Sequence, residues 1–275
     1  MTKSILITGC SSGIGLDAAQ MMQRRGWRVF ASCRKPEDCN RLREMGFDSP
    51  LIDYENPVTF TPAIDEILAA TGGTLDAVFH NGAYAIPGPL EDISPDAMRT
   101  IFQANFLGWH ELTQKLLPVM RDQGHGRIVL NSSILGFIGT KWRGAYVSTK
   151  FALEGWADVM RLELESENIQ VVLIEPGPIT SEFRNNAIKQ FEKWVDWENS
   201  PRADEYRSTL LDKLYKGSGE MKGTLPASAV SEKLFQAVTE VSPPARYRVT
   251  VPTQAMAVAK RILPQAVLDW ILKRA

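Results

Sequence analysis

The sequence predicts a doubly wound α/β fold, a parallel sheet of about seven strands with helices on both faces, and three observations predict it. Short apolar runs alternate with stretches of helical period along the whole chain. The runs are apolar at consecutive positions, as in strands covered on both faces. A glycine cluster follows the first run directly and opens the first helical stretch, at the strand–helix junction where such sheets bind ligands. No internal repeat and no low-complexity linker divides the chain, so residues 1–275 read as one domain.

The elements follow in order. Residues 4–8 form a first strand and 16–25 a helix ended by Gly26. Residues 28–33 are a second strand, 41–45 a short helix closed by Gly46, and 50–53 a third strand. A helix over 63–71 stops at Gly72 and Gly73, where glycine accepts the left-handed backbone of a helix end. Residues 75–80 are a fourth strand, and a long helical pattern runs from Pro95 to about Arg121. A fifth strand covers 127–132, an amphipathic helix 145–167, and a sixth strand 170–175. Residues from about 180 to 225 show no regular pattern, which is long for a connection and marks a substrate-binding loop. A late strand over 247–251 precedes a helical extension over about 253–275, interrupted at Pro264.

Composition narrows the function. The chain carries 31 basic and 32 acidic residues, a net charge of −1, so no global field favours nucleic acid. Cys10, Cys33 and Cys39 lack the spacing of a disulfide framework or zinc site, and His80, His110 and His125 lack ligand spacing. No metal is expected. No apolar stretch approaches the ~20 residues that span a bilayer, and the N-terminus does not read as a signal peptide. A cytoplasmic protein is expected.

The first strand runs into Thr8-Gly9-Cys10-Ser11-Ser12-Gly13-Ile14-Gly15. Glycines let a backbone turn tightly and approach a pyrophosphate, and the following helix offers free N–H groups. Sheets of this kind that bind NAD place a carboxylate at the end of the second strand. Here that place holds Ser32-Cys33-Arg34-Lys35. A cation pairs with a 2′-phosphate, and the planar fork of Arg34 suits one best, with Ser11 or Ser12 adding a hydroxyl. The pattern therefore points to NADP(H), against the plainer reading of Arg34 and Lys35 as solvated loop cations.

Tyr146 and Lys150 lie four apart in a helical stretch and share a face. Ser133 ends a strand thirteen residues upstream. A nearby ammonium is expected to lower the tyrosine's proton affinity, so that Tyr146 exchanges a proton with a substrate oxygen that Ser133 holds.

Together these pieces resemble the short-chain dehydrogenase/reductase superfamily over nearly the whole chain. The matching segments are residues 8–15, Asp53, His80-Asn81-Gly82-Ala83, Asn105, Ser132-Ser133, Tyr146-Val-Ser-Thr-Lys150 and Pro176-Gly177-Pro178-Ile179-Thr180. The resemblance implies a Rossmann-type sheet and a site in which Ser133 orients the substrate and Tyr146 transfers the proton. Lys150 would bond the nicotinamide ribose, and Asn105 would hold a water of the proton relay. It implies that Gly9, Ser11, Ser12, Gly13, Ile14, Gly15, Arg34, Asp53 and Asn81 bind the cofactor's adenosine and phosphate side. Pro176, Gly177, Ile179 and Thr180 would line its nicotinamide and pyrophosphate. Nearest in kind are the bacterial NADP-dependent members akin to hydroxysteroid and retinol dehydrogenases and broad-range aldehyde reductases. One departure stands out: the family pattern Asn-Asn-Ala-Gly is His80-Asn81-Gly82-Ala83 here. His80 itself reads as a partly buried residue at a strand end.

Phe183, Phe191, Trp194, Trp197, Tyr206 and Tyr215 either cover an apolar substrate or pack as core, and Tyr84 with residues 87–90 offers another wall. A small hydrophobic carbonyl or alcohol is the expected substrate. The C-terminal segment, with Lys260, Arg261, Lys273 and Arg274 beside Ile262, Leu263, Leu268, Trp270, Ile271 and Leu272, either packs on protein or touches a membrane. The resemblance suggests a homodimer or homotetramer. Three functions remain: a carbonyl reductase, a steroid or retinol dehydrogenase working oxidatively, and a cofactor-binding sensor without catalysis.

Overall fold

The computed structural model describes residues 2–216 and 223–273. Six parallel strands form one sheet in the order β2-β1-β3-β4-β5-β6. They are β1 (Ser4–Ile7), β2 (Arg28–Ala31), β3 (Ala77–His80), β4 (Gly126–Asn131), β5 (Ile169–Glu175) and β6 (Arg246–Arg248). The chain turns back between β1 and β3, so the carboxyl ends of these two strands flank the switch point of the sheet.

Side chains leave a strand on alternate faces, and each face is covered. Leu6, Val78, Ile128 and Leu173 pack on α3 (Phe60–Thr71), α5 (Gly108–Asp122) and α6 (Gly144–Glu163) through Ile64, Leu112 and Leu153. Ile5, Ile7, Phe79, Val129 and Val172 pack on α1 (Gly13–Arg24), α2 (Pro36–Glu44) and α9 (Ser228–Thr239) through Met22, Leu42 and Leu234. Each such side chain withdrawn from water contributes ~1.5–3 kcal/mol before ordering costs.

The expected strand over 50–53 does not form. Asp48 and Leu51 make only isolated bridges to Phe30 and Cys33 beside β2. Pro50 has no N–H to give a ladder, and the Asp53 N–H goes to the Thr59 hydroxyl at 3.0 Å. The sheet thus has six strands where about seven were expected. The late strand is also shorter, because Thr250 caps α10 (Val251–Ile262) by accepting from the Thr253 N–H.

The stretch expected to be irregular is largely helical. It holds α7 (Phe183–Trp194), the single turn α8 (Ala203–Glu205) and two π-helical segments, Tyr206–Leu210 and Asp212–Lys216. Phe183, Ala187 and Phe191 recur every four residues, as do Tyr206, Leu210 and Leu214, and these stripes join a third core with Tyr84, Ile86, Ile93 and Tyr146. The many charges between them hid the period. Phe191 and Tyr206 are therefore core, Trp194 and Trp197 pack on it, and Tyr215 is exposed. Helix α9 was not foreseen either.

The long helix begins as α4 (Pro95–Phe102) and is broken by a π-helical turn, Gln103–Leu107, before α5. Pro264 divides α10 from α11 (Gln265–Leu272) as expected. Arg274 lies outside the described residues. Among the described residues no helix is long and apolar enough to cross a membrane, and no cluster of ligating side chains could hold a metal ion. All three cysteines are buried and unbridged.

Candidate active site

The candidate residues converge at the carboxyl end of the sheet. The loop after β1 turns at Gly9 and Gly13, with φ of 69° and 56°, a region that favours glycine. A Cβ on Gly9 would lie 2.6 Å from the Gly82 Cα, and one on Gly15 only 2.3 Å from the Gly9 carbonyl oxygen. The Thr8 hydroxyl accepts the N–H groups of Asn81 at 2.9 Å and Gly82 at 3.2 Å, tying the first loop to the third strand's end. Asn81 donates from Nδ2 to the Thr8 carbonyl at 3.0 Å and accepts from Asn131 Nδ2 at 2.8 Å. Ser12 precedes α1 without capping it, so the first-turn N–H groups beside Ile14 keep their capacity for an anion.

The exchange of glycine and alanine after Asn81 is tolerated here. Gly82 has an ordinary φ, and a Cβ on it would sit 3.5 Å from Gly9, a normal contact. Ala83 packs at the edge of the core. His80 is fully buried, with Nδ1 2.6 Å from the Tyr54 hydroxyl and Nε2 3.0 Å from the Thr113 hydroxyl. Its ring packs in a cluster with those of Tyr54 and Trp109. Burial pushes its pKa down to about 3, so it is a neutral brace.

At the end of β2, Arg34 is exposed and stands 3.9 Å from Glu55. Arg41, on α2, donates from Nη2 to the Ser11 carbonyl at 2.7 Å and so places a second guanidinium at the glycine loop. The sequence reading had treated Arg41 only as part of a helix. Asp53 accepts from the Glu55 N–H at 3.0 Å and shapes the turn leading to Asn56.

The π-helical turn before α5 presents Asn105 inward, fully buried. Its Oδ1 accepts the Tyr84 N–H at 3.1 Å, and its Nδ2 donates to the Tyr84 carbonyl at 2.8 Å and the Thr149 hydroxyl at 3.3 Å. Ser133 follows β4 and accepts the Leu135 N–H at 3.1 Å. On α6, Tyr146 and Lys150 are both buried. Lys150 donates to the Asn131 carbonyl at 2.7 Å and lies 4.5 Å from the centroid of the Trp109 ring. Phe183 packs edge-on against Tyr146 with ring centroids 5.2 Å apart.

Burial dominates the proton affinities. It pushes Tyr146 up to about 12 against the opposing pull of the Ser133 hydroxyl and the Arg143 guanidinium. It pushes Lys150 down to about 7 against the Glu154 carboxylate. The groups that oppose burial at Tyr146 in the protein alone are Ser133 and Arg143, where Lys150 was expected.

After β5, the Pro176 carbonyl accepts the Ile134 N–H at 2.7 Å. A Cβ on Gly177 would lie 2.2 Å from the Thr250 hydroxyl, so this loop is pressed onto the start of α10. Ile179 bridges Leu225, and the exposed Thr180 donates its N–H to the Leu225 carbonyl at 3.0 Å.

A buried charge network behind these residues was not foreseen. Glu154, one turn beyond Lys150, accepts from the Ser132 hydroxyl and from Arg246 Nε at 3.1 Å. Arg246 also lies 3.1 Å from Glu175, which accepts from Arg248 Nε at 3.1 Å. Burial and the neighbouring Glu154 push Glu175 up to about 7. A glutamate four residues after Lys150 was its only sequence signal.

The residues present fit a dinucleotide. The loop has no room for side chains at Gly9 and Gly15, and two buried polar atoms beside it, Ser32 Oγ and Asn131 Oδ1, have no hydrogen-bond partner among the described residues.

The short chain dehydrogenase family profile matches residues 3–192, and the chain belongs to that family. It is an oxidoreductase acting on CH–OH and C=O groups with a nicotinamide cofactor. It is 43% identical to the uncharacterized oxidoreductase YbbO of Escherichia coli over 274 residues, 99% of this chain and 95% of the relative. It is 30% identical to the NADPH-dependent 3-dehydrocapnine reductase of Ornithobacterium rhinotracheale, over 97% of this chain and 94% of that one. A solved short-chain dehydrogenase from Streptomyces avermitilis superposes with a TM-score of 0.80 at 21% identity, covering 98% of this chain and 96% of the other, a likeness of fold.

Proposed function

We propose that this protein is an NADPH-dependent reductase of hydrophobic aldehydes or ketones, its whole chain acting as one dinucleotide-binding domain. The observation that carries the cofactor reading is the pair of guanidiniums at the glycine loop. Arg34 follows β2, where an NAD-binding sheet would place a carboxylate, and Arg41 reaches the Ser11 carbonyl. Two cations there suit a 2′-phosphate.

In this reading the glycine loop, Ser11, Ser12, Asn81 and Asp53 hold the adenosine and phosphate side. Lys150, Pro176, Gly177, Ile179 and Thr180 hold the nicotinamide side. The bound cofactor supplies the hydride. Ser133 holds the substrate oxygen, and Tyr146 gives it a proton. A proton drawn from solvent past the buried Asn105, which is anchored at Tyr84 and Thr149, then restores Tyr146 through Lys150. Tyr146 protonated at neutral pH suits the reductive direction over the oxidative one. The intact set favours an enzyme over a silent sensor.

Exposed Phe151, Val159 and Leu162 recur along one face of α6, which we read as the contact of a homo-oligomer. Exposed Val251, Val258 and Ile262 form a similar stripe on α10, near Lys260 and Arg261.

The test is NADPH and NADH oxidation across aldehydes, ketones, steroids and retinoids, repeated with Arg34→Ala. The expected result is turnover favouring NADPH, and in the variant at least about a tenfold rise in the KM for NADPH with little change for NADH. An equal loss with both cofactors would remove the NADP reading.

A further inference from the structure

Among the described residues Arg143 is a cation without an anion. It directly precedes α6, three residues before Tyr146, and its charge acts on that phenol. It is half-buried. Among the described residues its guanidinium forms no ion pair or hydrogen bond, and the charged or titrating groups that act on it are Tyr146 and a second guanidinium, Arg184. Burial pushes its pKa down, the expected response of a desolvated cation.

The backbone holds it there at some expense. Trp142, the preceding residue, has a φ of 68°, a left-handed conformation that a bulky side chain rarely adopts. The strain is held from both sides. The Trp142 carbonyl accepts the Gly88 N–H at 3.0 Å, and the indole packs on Tyr206 with ring centroids 5.5 Å apart. Gly144, on the other side, is pressed against Leu90. Residues held in strained backbone cluster where a side chain must be placed for function. Arg184 is fixed independently, donating from Nε to the Leu214 carbonyl at 3.1 Å. The surroundings of Tyr146 are apolar: Phe183 packs on its ring, and Phe183 and Leu135 are partly buried against the same core.

The geometry points to an anionic group on the substrate: Arg143 binds a carboxylate, phosphate or sulfonate a few bonds from the reacting carbonyl, while the aromatic wall takes an alkyl chain. The favoured substrates are amphiphilic oxo acids rather than wholly neutral aldehydes or ketones. This deepens the reductase reading and rests on it for the reacting carbonyl. A phosphate of the cofactor presents the same chemistry, and the experiment separates the two sources.

Binding of octanoate and octanamide to the NADPH complex is followed by the cofactor's fluorescence. The kcat/KM values of 2-oxooctanoate and its methyl ester are measured alongside. In the native protein octanoate should bind about tenfold or more tightly than octanamide, the scale of a hydrogen bond to a charged group. In Arg143→Gln that preference should fall to near parity, and Arg143→Lys should keep part of it. Parity in the native protein, or a preference that survives in Arg143→Gln, would overturn the proposal. Weaker NADPH binding in Arg143→Gln with the octanoate preference intact assigns the guanidinium to the cofactor and also overturns it. An Arg143-dependent octanoate preference without turnover of either oxo compound would keep the anion site and sink the reductase reading instead.

Discussion

Tyr146 carries a proton that burial makes hard to remove, while the neighbouring Lys150 is easily made neutral. The proposed mechanism turns this into a direction. Reduction needs Tyr146 protonated, so its kcat/KM should stay level through neutral pH and fall only as pH climbs towards about 12. Oxidation needs the phenolate and should rise with pH across the same range. A reduction rate that rises with pH, or an oxidation rate that falls with it, would reject Tyr146 as the proton carrier. Tyr146→Phe should lower turnover by ~10²–10⁴ while NADPH still binds, measured by fluorescence titration. At this scale the sequence was informative where chemistry is local. Gly9, Gly13 and Gly15 share one loop, and Tyr146 and Lys150 one helical turn. Arg41 was hidden because its contact, Ser11, lies thirty residues away. Arg143 was hidden because what distinguishes it is the absence of a partner among the described residues.

The π-helical turn at Gln103–Leu107 shows how one element serves the site. An α-helix continued through it would turn Asn105 to another angle; the wider turn directs it at the Tyr84 backbone, where it satisfies one N–H and one carbonyl. Asn105→Ala would leave both buried groups unpaired. The expected loss is ~1–3 kcal/mol for each orphaned group, read as a lower thermal midpoint together with lower turnover. An unchanged midpoint would show that the turn holds without the side chain. The sequence disclosed the long helix but not this break, because no proline or glycine sits inside it. The lid helices were missed for another reason. Their apolar stripe is only two or three residues per segment among many charges, and becomes visible only once Phe191 and Tyr206 close on Ile86 and Ile93.

Across the whole molecule, the sheet's switch point gathers the loops, and the braces beneath them set its acid tolerance. His80 has a folded pKa near 3, below the 6.5 of an exposed imidazole. The unfolded chain therefore binds the proton first as pH falls. Stability should be fully present above pH 6.5 and decline below it by ~1.4 kcal/mol per pH unit from this group alone. Urea midpoints from pH 7 to 4, compared with those of His80→Asn, should show a steeper acid decline in the native protein. Parallel curves would mean that the imidazole is hydrated at acid pH. The parallel sheet and its two helical layers were legible because consecutive apolar runs are a global pattern. The missing seventh strand was not, since a single Pro50 and a competing Thr59 hydroxyl decide it.

The edge strand β6 completes a balance of charge behind the site. Every candidate catalytic and cofactor residue lies before position 181, yet the counter-ions of the buried Glu154 and Glu175 are Arg246 and Arg248, both on β6. A chain cut short before β6 would contain the entire proposed machinery and still bury two adjacent carboxylates unmatched, a penalty of several kcal/mol. The last strand therefore acts as a latch: its removal should lower the thermal midpoint although every candidate residue remains in the chain.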